Sequence, residues 1–259
     1  MSEAISDVVE TQIKTPAPLH LAAPDFLEKM LKADVRKIKA GQFVIMEGED
    51  SDTVICVLGG WLALSKCLPD GDTQIVDFAL LGEIIEAGTA REFGSAVSIE
   101  ALTDVSLAVV PAHVWEDLKR QRPDLTRIAR TVRGAAHARM AGRMLRLGRG
   151  KALMRLAYTL LELNVRLEAI GQSRNNSFHI PMNQRVLGDF VGLSSVHVCR
   201  TLGQLASKGV IRVVGHMDIE IVEIELLAEM AGVDLDSLPC EILAKIEDSS
   251  PAVAHPAHT

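Results

Sequence analysis

One stretch of the chain, VGLSSVHVCRTLGQLASKGVI over residues 191–211, combines an apolar helical stripe with an unusual polar face. Val198, Leu202 and Leu205 fall at i, i+4 and i+7, and this spacing predicts an α-helix over about residues 194–208, with Ser194 at its N-cap. The opposite face is small, polar and singly basic, and it comprises Val196, Cys199, Arg200 and Gly203, flanked by Ser195, His197 and Gln204. An ordinary solvated helix would carry a mixture of Glu and Lys here, so this face indicates a binding surface.

The neighbouring segments predict a helix-turn-helix followed by a β-hairpin. MNQRVLGDFVG predicts a short helix that begins at an Asn183 cap and ends at Gly192. Gly188 lies inside that helix, where glycine costs about 1 kcal/mol relative to alanine, so we expect another helix to cross close by. GVIRVVGHMDIEIVEI predicts strand, turn and strand, which is a wing. This arrangement predicts DNA binding; the alternative is a generic helix pair and hairpin in another α+β domain.

Composition and charge fit a folded protein with an uneven distribution of charge. The 259 residues are 48% hydrophobic, and aromatic residues make up only 3%, which argues against a single-strand binder that stacks bases. The net charge is −7, yet residues 119–212 hold 18 basic against 4 acidic side chains. This basic segment could attract the DNA backbone. The alternative is that many of its arginines lie on one long helix and pair with acidic neighbours.

The chain divides into five segments, and its fold class is α+β. We expect a loosely ordered N-terminal arm (1–24), an antiparallel β-roll of the jelly-roll type (25–115), a dimerisation helix region (116–148), a winged helix-turn-helix (149–232) and an acidic C-terminal tail (233–259). The β-roll is expected because short β-prone runs alternate with Gly and Asp turns between about residues 35 and 111.

The long helix has an apolar stripe that needs a partner. Its first members are Leu125, Ile128, Val132 and Ala135, and an adjoining edge continues through Ala136, Met140 and Met144. We expect the partner to be the same helix of a second copy, so that Val132→Asp would split a homodimer. The alternative is that this stripe packs on the β-roll alone.

This order of elements resembles the Crp/Fnr family of bacterial transcription regulators, over about residues 25–232. The most specific match is LGDFVGLSSVHVCRTLGQLASKGVI, and HVCRTL is similar to a branch that reads His-Val-Asn-Arg, with Cys199 in the Asn position. The resemblance implies a cyclic-nucleotide-binding-like β-roll, and it places Arg200 where the family reads bases; arginine can bond guanine O6 and N7 bidentately. Val196 stands where the family has glutamate, so the usual half-site is not expected. Ser194, Ser195 and His197 would contact phosphates or flanking bases.

The resemblance also bears on cofactors, and none is predicted. In the subgroup that binds cAMP, Gly-Glu-Leu is followed by an arginine that holds the phosphate, but here that position falls on residues 93–95 (Phe-Gly-Ser), and Arg91 is out of step. Binding of cAMP is therefore disfavoured, because a buried phosphate needs a cation. An Fe–S cluster is disfavoured because the N-terminal region has no cysteine cluster, and no metal site is predicted. Haem is not excluded.

Other classes of function fit less well. A β-roll also resembles cupin enzymes, but those need clustered histidines, and residues 35–112 contain none, so no catalytic residue is expected. An adaptor that keeps the fold without touching DNA is the remaining alternative, and the Arg200 face argues against it. The expected partners are double-stranded DNA, a second copy and, for an activator, RNA polymerase. No signal peptide or membrane span is visible, so we expect a cytoplasmic protein.

Cys199 carries a further hypothesis. Its thiol lies beside Arg200 near the start of the predicted helix, and this position makes it a candidate redox switch. Oxidation would place a negative charge or a bulky adduct against DNA and weaken binding. The alternative is that cysteine is simply a small, tolerated residue here.

Overall fold

The N-terminal part of the chain is built from eight antiparallel strands. The structure, a computed structural model, describes residues 34–87 and 94–243. The strands are β1 (Asp34–Ile38), β2 (Phe43–Ile45), β3 (Thr53–Gly59), β4 (Leu62–Cys67), β5 (Thr73–Ala79), β6 (Ile84–Ala87), β7 (Ser98–Ala101) and β8 (Val105–Pro111). They pair into two four-stranded sheets with the orders β1-β8-β3-β6 and β2-β7-β4-β5.

The two sheets enclose one apolar core. Alternate residues point inward along each strand, and the fully buried ones include Ile55 and Leu107 from the first sheet and Leu62 and Ile99 from the second. Between β3 and β4, Gly60 has a φ of 84°, and a Cβ there would lie 2.5 Å from the backbone oxygen of Asp104. The antiparallel β-roll predicted from the sequence is confirmed.

Helices dominate the described residues that follow β8. They are α1 (Ala112–Gln121), α2 (Pro123–Arg149), α3 (Ala152–Ala169), α4 (Gln184–Val191), α5 (Ser195–Ser207), α6 (Ile224–Ala231) and α7 (Leu238–Ile242). A third sheet, with the order β11-β12-β10-β9, uses β9 (Ser173–Arg174), β10 (Ser177–His179), β11 (Ile211–Val214) and β12 (Asp218–Ile221). Within the described residues, no helix is both long and apolar enough to span a membrane.

The first half of α2 packs against the β-roll of its own chain. Leu125, Ile128 and Val132 are buried together with β-roll residues such as Val54 and Val110. For these residues the expectation that a second copy covers the stripe is wrong. The alternative holds, because the stripe packs on the β-roll of the same chain. Val132→Asp would damage this packing and is no test of dimerisation.

The C-terminal segment extends beyond the wing as folded structure. Helix α3 forms the centre of a second core, in which Leu160 packs with residues from α4 to α6, such as Leu187, Leu202 and Leu227. Part of the segment expected as an acidic tail from residue 233 onward forms α7, whose Leu238 is buried in the same core. The expected N-terminal arm, residues 1–24, lies outside the described residues.

The packing of α2 on the β-roll predicts that shortening a buried side chain of α2 destabilises the protein far more than shortening an exposed side chain of α1. Ile128 is 2% exposed, so Ile128→Ala should lower the free energy of unfolding by about 2–5 kcal/mol. Urea unfolding followed by tryptophan fluorescence measures this, because Trp115 belongs to the same cluster. Val114→Ala on the exposed side of α1 is the matched control and should change stability by about 0.5 kcal/mol or less. Equal unfolding midpoints for the two variants would contradict this packing.

Candidate nucleic-acid interface

The first helix of the predicted helix-turn-helix is defined by caps at both ends. The Asn183 side chain accepts hydrogen bonds at 3.0 Å from the backbone N–H groups of Arg185 and Val186, which starts α4. Gly192 ends the helix in the left-handed conformation, with a φ of 65°. The predicted Asn183 cap and glycine turn are therefore confirmed.

Gly188 is needed by the turn. A Cβ at this position would lie 2.4 Å from the backbone oxygen of Leu193, and the Leu193 N–H donates to the Gly188 oxygen at 3.0 Å. The expectation that another helix crosses close to Gly188 is wrong. The segment that approaches Gly188 closely is the turn that leads into α5. The glycine thus sets how tightly α5 follows α4.

Helix α5 buries the predicted stripe. Val198, Leu202 and Leu205 are buried, as expected from their spacing. The Ser194 hydroxyl accepts a hydrogen bond from the His197 N–H at 3.3 Å, so Ser194 is the N-cap. Thr201, which the sequence reasoning did not include, is also buried, and its hydroxyl donates to the His197 oxygen at 2.7 Å. Its position three residues after the buried Val198 places it on the buried face of the helix, and this spacing could have predicted its burial.

The remaining predicted site residues share one exposed surface. The structure leaves Ser194, Ser195, Val196, His197, Cys199 and Arg200 all exposed. Val196 is 66% exposed. Among the described residues, no ion pair or hydrogen bond is formed by the Arg200 guanidinium. This surface, defined by these six residues, is the recognition face.

A hairpin wing follows the recognition helix. Strands β11 and β12 pair antiparallel, and the turn between them contains Gly215 and Met217, both with positive φ. The Met217 side chain is buried, so it anchors the hairpin to the core, while Arg212 pairs with Glu220 across the two strands. The predicted wing is confirmed.

Several arginines of the basic segment are buried and do not face solvent. Arg139, Arg143 and Arg146 on α2 and Arg166 on α3 are all buried. The alternative stated for this segment, that its arginines pair with acidic residues, therefore holds for Arg139, Arg143 and Arg166, while Arg146 donates to backbone oxygens. A lone Glu and Arg four residues apart, Glu162 and Arg166, within the apolar run of α3 were the sequence signal for a buried ion pair.

A second candidate site is a cavity of about 500 Å³ between the β-roll and α2. Two arginines line it, but Arg139 pairs with Asp77 and Glu83, and Arg133 pairs with Glu86. An anionic ligand would have to displace these carboxylates. Of the positions weighed for the cAMP arginine, Gly94 and Ser95 lie in the described residues, while Arg91 and Phe93 lie outside them.

The cysteines are separate in space and in exposure. Cys56 is buried in the β-roll, and burial raises the pKa of its thiol to about 12. Cys67, Cys199 and Cys240 are exposed. Within the described part of the chain, no group of three or more His, Cys, Asp or Glu side chains is suited to hold a metal ion.

Comparison with known proteins agrees with this geometry. Residues 35–122 match the cyclic nucleotide-binding domain, and residues 154–230 match the Crp-like helix-turn-helix domain. The chain is 30% identical over 197 residues to a "Probable transcriptional activator" of Rhizobium leguminosarum bv. viciae, covering 75% of this chain and 80% of that relative. It is 28% identical over 217 residues to "Transcriptional activator protein Anr" of Pseudomonas protegens, covering 84% and 88% of the two chains.

The fold is also shared with a solved structure. FixK2 from Bradyrhizobium japonicum superposes with a TM-score of 0.69 at 25% identity, covering 76% of this chain and 96% of that chain. The match to the cyclic nucleotide-binding domain precedes the match to the Crp-like helix-turn-helix domain, as the β-roll precedes the winged helix-turn-helix in the structure. The chain belongs to the Crp/Fnr family of DNA-binding transcription regulators.

Proposed function

We propose that the chain acts as a homodimer that binds an inverted repeat of double-stranded DNA and reads base edges through Arg200. The observation that carries the proposal is the recognition face, where one guanidinium without an ion pair among the described residues stands in a small, exposed surface. Arginine distinguishes guanine by bonding O6 and N7 together. Ser194, Ser195 and His197 would contact phosphates or flanking bases, and Val196 and Cys199 would contact the groove.

The outer face of α2 supports dimerisation. Met144 and Leu145 are 71% and 59% exposed, and Met140 lies one turn before Met144. Gly134 and Gly148 face open space, so a second helix could approach closely on this side. An exposed apolar face of this kind is costly in a monomer. A two-fold dimer would bury it and present two recognition helices to successive major grooves.

Regulation and partners extend the proposal. A signal would act through the β-roll, whose cavity lies against α2 and therefore against the proposed dimer helix. The two sequence relatives described above are named as transcriptional activators, so we include activation, which requires contact with RNA polymerase. A DNA partner requires a cytoplasmic location. The His-Val-x-Arg branch, with Cys199 in the Asn position, remains part of this proposal.

Charge on the outer face of α2 should separate the copies. Met144→Asp should shift the protein to monomer at micromolar concentration, because the carboxylate would be buried against the second helix. Sedimentation velocity measures the shift. Leu68→Asp, at an exposed apolar residue of the β4–β5 turn, is the matched control and should remain dimeric. The interface is misassigned if Met144→Asp and wild type sediment alike.

Removal of the guanidinium should remove sequence discrimination. The operator is first selected from random duplex DNA by the wild-type protein. Arg200→Ala should then lose about 1–3 kcal/mol of specific binding per half-site, while its affinity for random DNA changes much less. Lys208→Ala, at the far end of α5, is the control for general charge loss. Undiminished affinity of Arg200→Ala for the selected operator would show that another residue reads the bases.

Oxidation of Cys199 should weaken operator binding. The thiol is exposed on the recognition face, where a sulfinate would meet phosphates. Because Cys67 and Cys240 are exposed as well, the comparison uses a Cys67→Ser/Cys240→Ser background with and without Cys199→Ser. Peroxide should reduce binding only in the protein that retains Cys199. Equal loss in both proteins, or no loss in either, would exclude Cys199 as the switch.

A further inference from the structure

Six charged residues, five of them buried and the sixth (Glu83) half-buried, meet where three parts of the chain come together. Each part supplies two of them. They are Asp77 and Glu83 from the β-roll, Arg139 and Arg143 from α2, and Glu162 and Arg166 from α3, and they form the buried charge cluster. Three positive and three negative charges are thus enclosed at a junction between sensor-like and DNA-binding parts.

Asp77 is the centre of the cluster. Its Oδ1 lies 3.0 Å from Arg143 Nη2 and 3.3 Å from Arg166 Nη1, and its Oδ2 lies 3.2 Å from Arg139 Nη2. Burial by itself would raise the pKa of Asp77, but Arg143, Arg139 and Arg166 outweigh it and lower the pKa to about 2. The carboxylate is therefore charged at neutral pH and holds all three guanidinium groups.

The other two carboxylates close the cluster. Both oxygens of Glu83 accept hydrogen bonds at 3.0 Å from Arg166 Nη2, and Glu83 also lies 3.1 Å from Arg139. Glu162, which is fully buried, accepts hydrogen bonds from Arg143 and Arg166. Arg143 and Arg166 consequently bridge acidic residues of the β-roll and α3, whereas Arg139 ties α2 to two acidic residues of the β-roll.

The same arginines fix the backbone on all sides. Arg166 donates to the Phe78 oxygen at 2.6 Å, and Arg143 donates to the Val76 oxygen at 2.8 Å, both on β5. Arg139 donates to the Ile242 oxygen at the end of α7, at 3.2 Å. About two turns further along α2, Arg146 donates to the Ala231 oxygen at the end of α6, at 3.1 Å. Arginines therefore cap the negative ends of two helices of the DNA-binding part.

The junction continues directly to the helix-turn-helix. The Phe78 ring packs at 4.4 Å from the Phe190 ring of α4, and the Arg143 guanidinium lies 4.8 Å from that same ring. The Gln74 side chain of β5 donates to the Asp189 oxygen at 2.6 Å. A change in the cluster would therefore be felt at α4, against which α5 is set by the tight turn at Gly188.

Stability alone does not account for the cluster. Desolvation of buried ions offsets most of their attraction, and apolar residues of similar volume are often at least as stabilising. Within the described residues, the buried atoms Arg139 Nε, Arg166 Nε and Glu162 Oε2 have no hydrogen-bond partner, which adds a further cost. Directional ion pairs differ from an apolar contact in that they hold one relative orientation.

We infer that the buried charge cluster sets the orientation of the winged helix-turn-helix relative to the β-roll and α2. Its six members are positioning residues for DNA recognition, and they act through α4 and α5. The consequence for operator binding rests on the proposed function, whereas the orientation itself can be measured without DNA.

The first experiment measures that orientation with native cysteines. In a Cys240→Ser background, spin labels on Cys67 of the β-roll and Cys199 of α5 report one distance within each chain, while Cys56 is buried and unlabelled. Labelled protein is diluted with unlabelled protein to suppress distances between copies. Pulsed electron–electron resonance should give one narrow distance distribution.

The variants then remove charge with little change in shape. Asp77→Asn should broaden or shift the distribution, because three guanidinium groups lose their common acceptor. The double variant Asp77→Asn/Arg143→Met removes one negative and one positive charge, so the cluster stays neutral. It replaces Asp77→Asn in the experiment if that single variant does not fold. Leu107→Ala, in the core between the two β-sheets, is the control for general loss of stability and should keep the narrow distribution.

The second experiment tests the functional consequence. Operators are built from the selected half-sites with spacers one or two base pairs shorter or longer. Wild type and Leu107→Ala should prefer one spacing, and this preference should fall by about fivefold or more in the cluster variants. A purely structural role would lower the melting temperature and leave the spacing preference intact.

The outcomes are separable. A broad distribution in wild type, or an unchanged narrow one in the folded cluster variants, overturns the inference. An unchanged spacing preference in variants whose distances have broadened overturns the positioning role in recognition. If wild type selects no DNA, the proposed function fails, and the distance measurement still decides whether the cluster sets the orientation.

Discussion

A buried guanidinium must find acceptors, and in this protein the acceptors come from three separate parts of the chain. Asp77, together with Glu83, holds arginines of α2 and α3 against the β-roll. The desolvation cost of each charge is met only when all three parts are in place. The β-roll, the long helix and the winged helix-turn-helix therefore depend on one junction, and their relative placement is a property of that junction.

The contacts at this junction and on the β-roll also determine which face of α2 stays exposed. Its N-terminal half uses Ile128 and its neighbours to cover the β-roll. Its C-terminal half turns Arg139, Arg143 and Arg146 into the junction between the β-roll and the DNA-binding part. Because a helix advances about 100° per residue, Met140 and Met144 are left on the outside. The proposed dimer surface is thus what remains after the intramolecular contacts are made.

The helix-turn-helix could be predicted from sequence because its signals are local. The Asn183 cap, the Gly192 turn and the 4-3 spacing from Val198 to Leu205 each lie within a few residues of the feature they define. The partner of the α2 stripe could not be predicted, because spacing shows which face is apolar and does not show what covers it. Whether Arg139 and Arg143 attract DNA or pair with acidic residues stayed open for a related reason: charge alone does not reveal burial. Their shared acceptor, Asp77, lies more than 60 residues away in sequence.

We propose that one dimer holds two recognition faces at a fixed separation. Hydroxyl-radical footprinting of a selected operator tests this claim most directly. We expect two protected patches on one side of the duplex, with centres about 34–36 Å or one helical turn apart, related by the symmetry of the inverted repeat. A single protected patch, or two patches at no fixed separation, would contradict it.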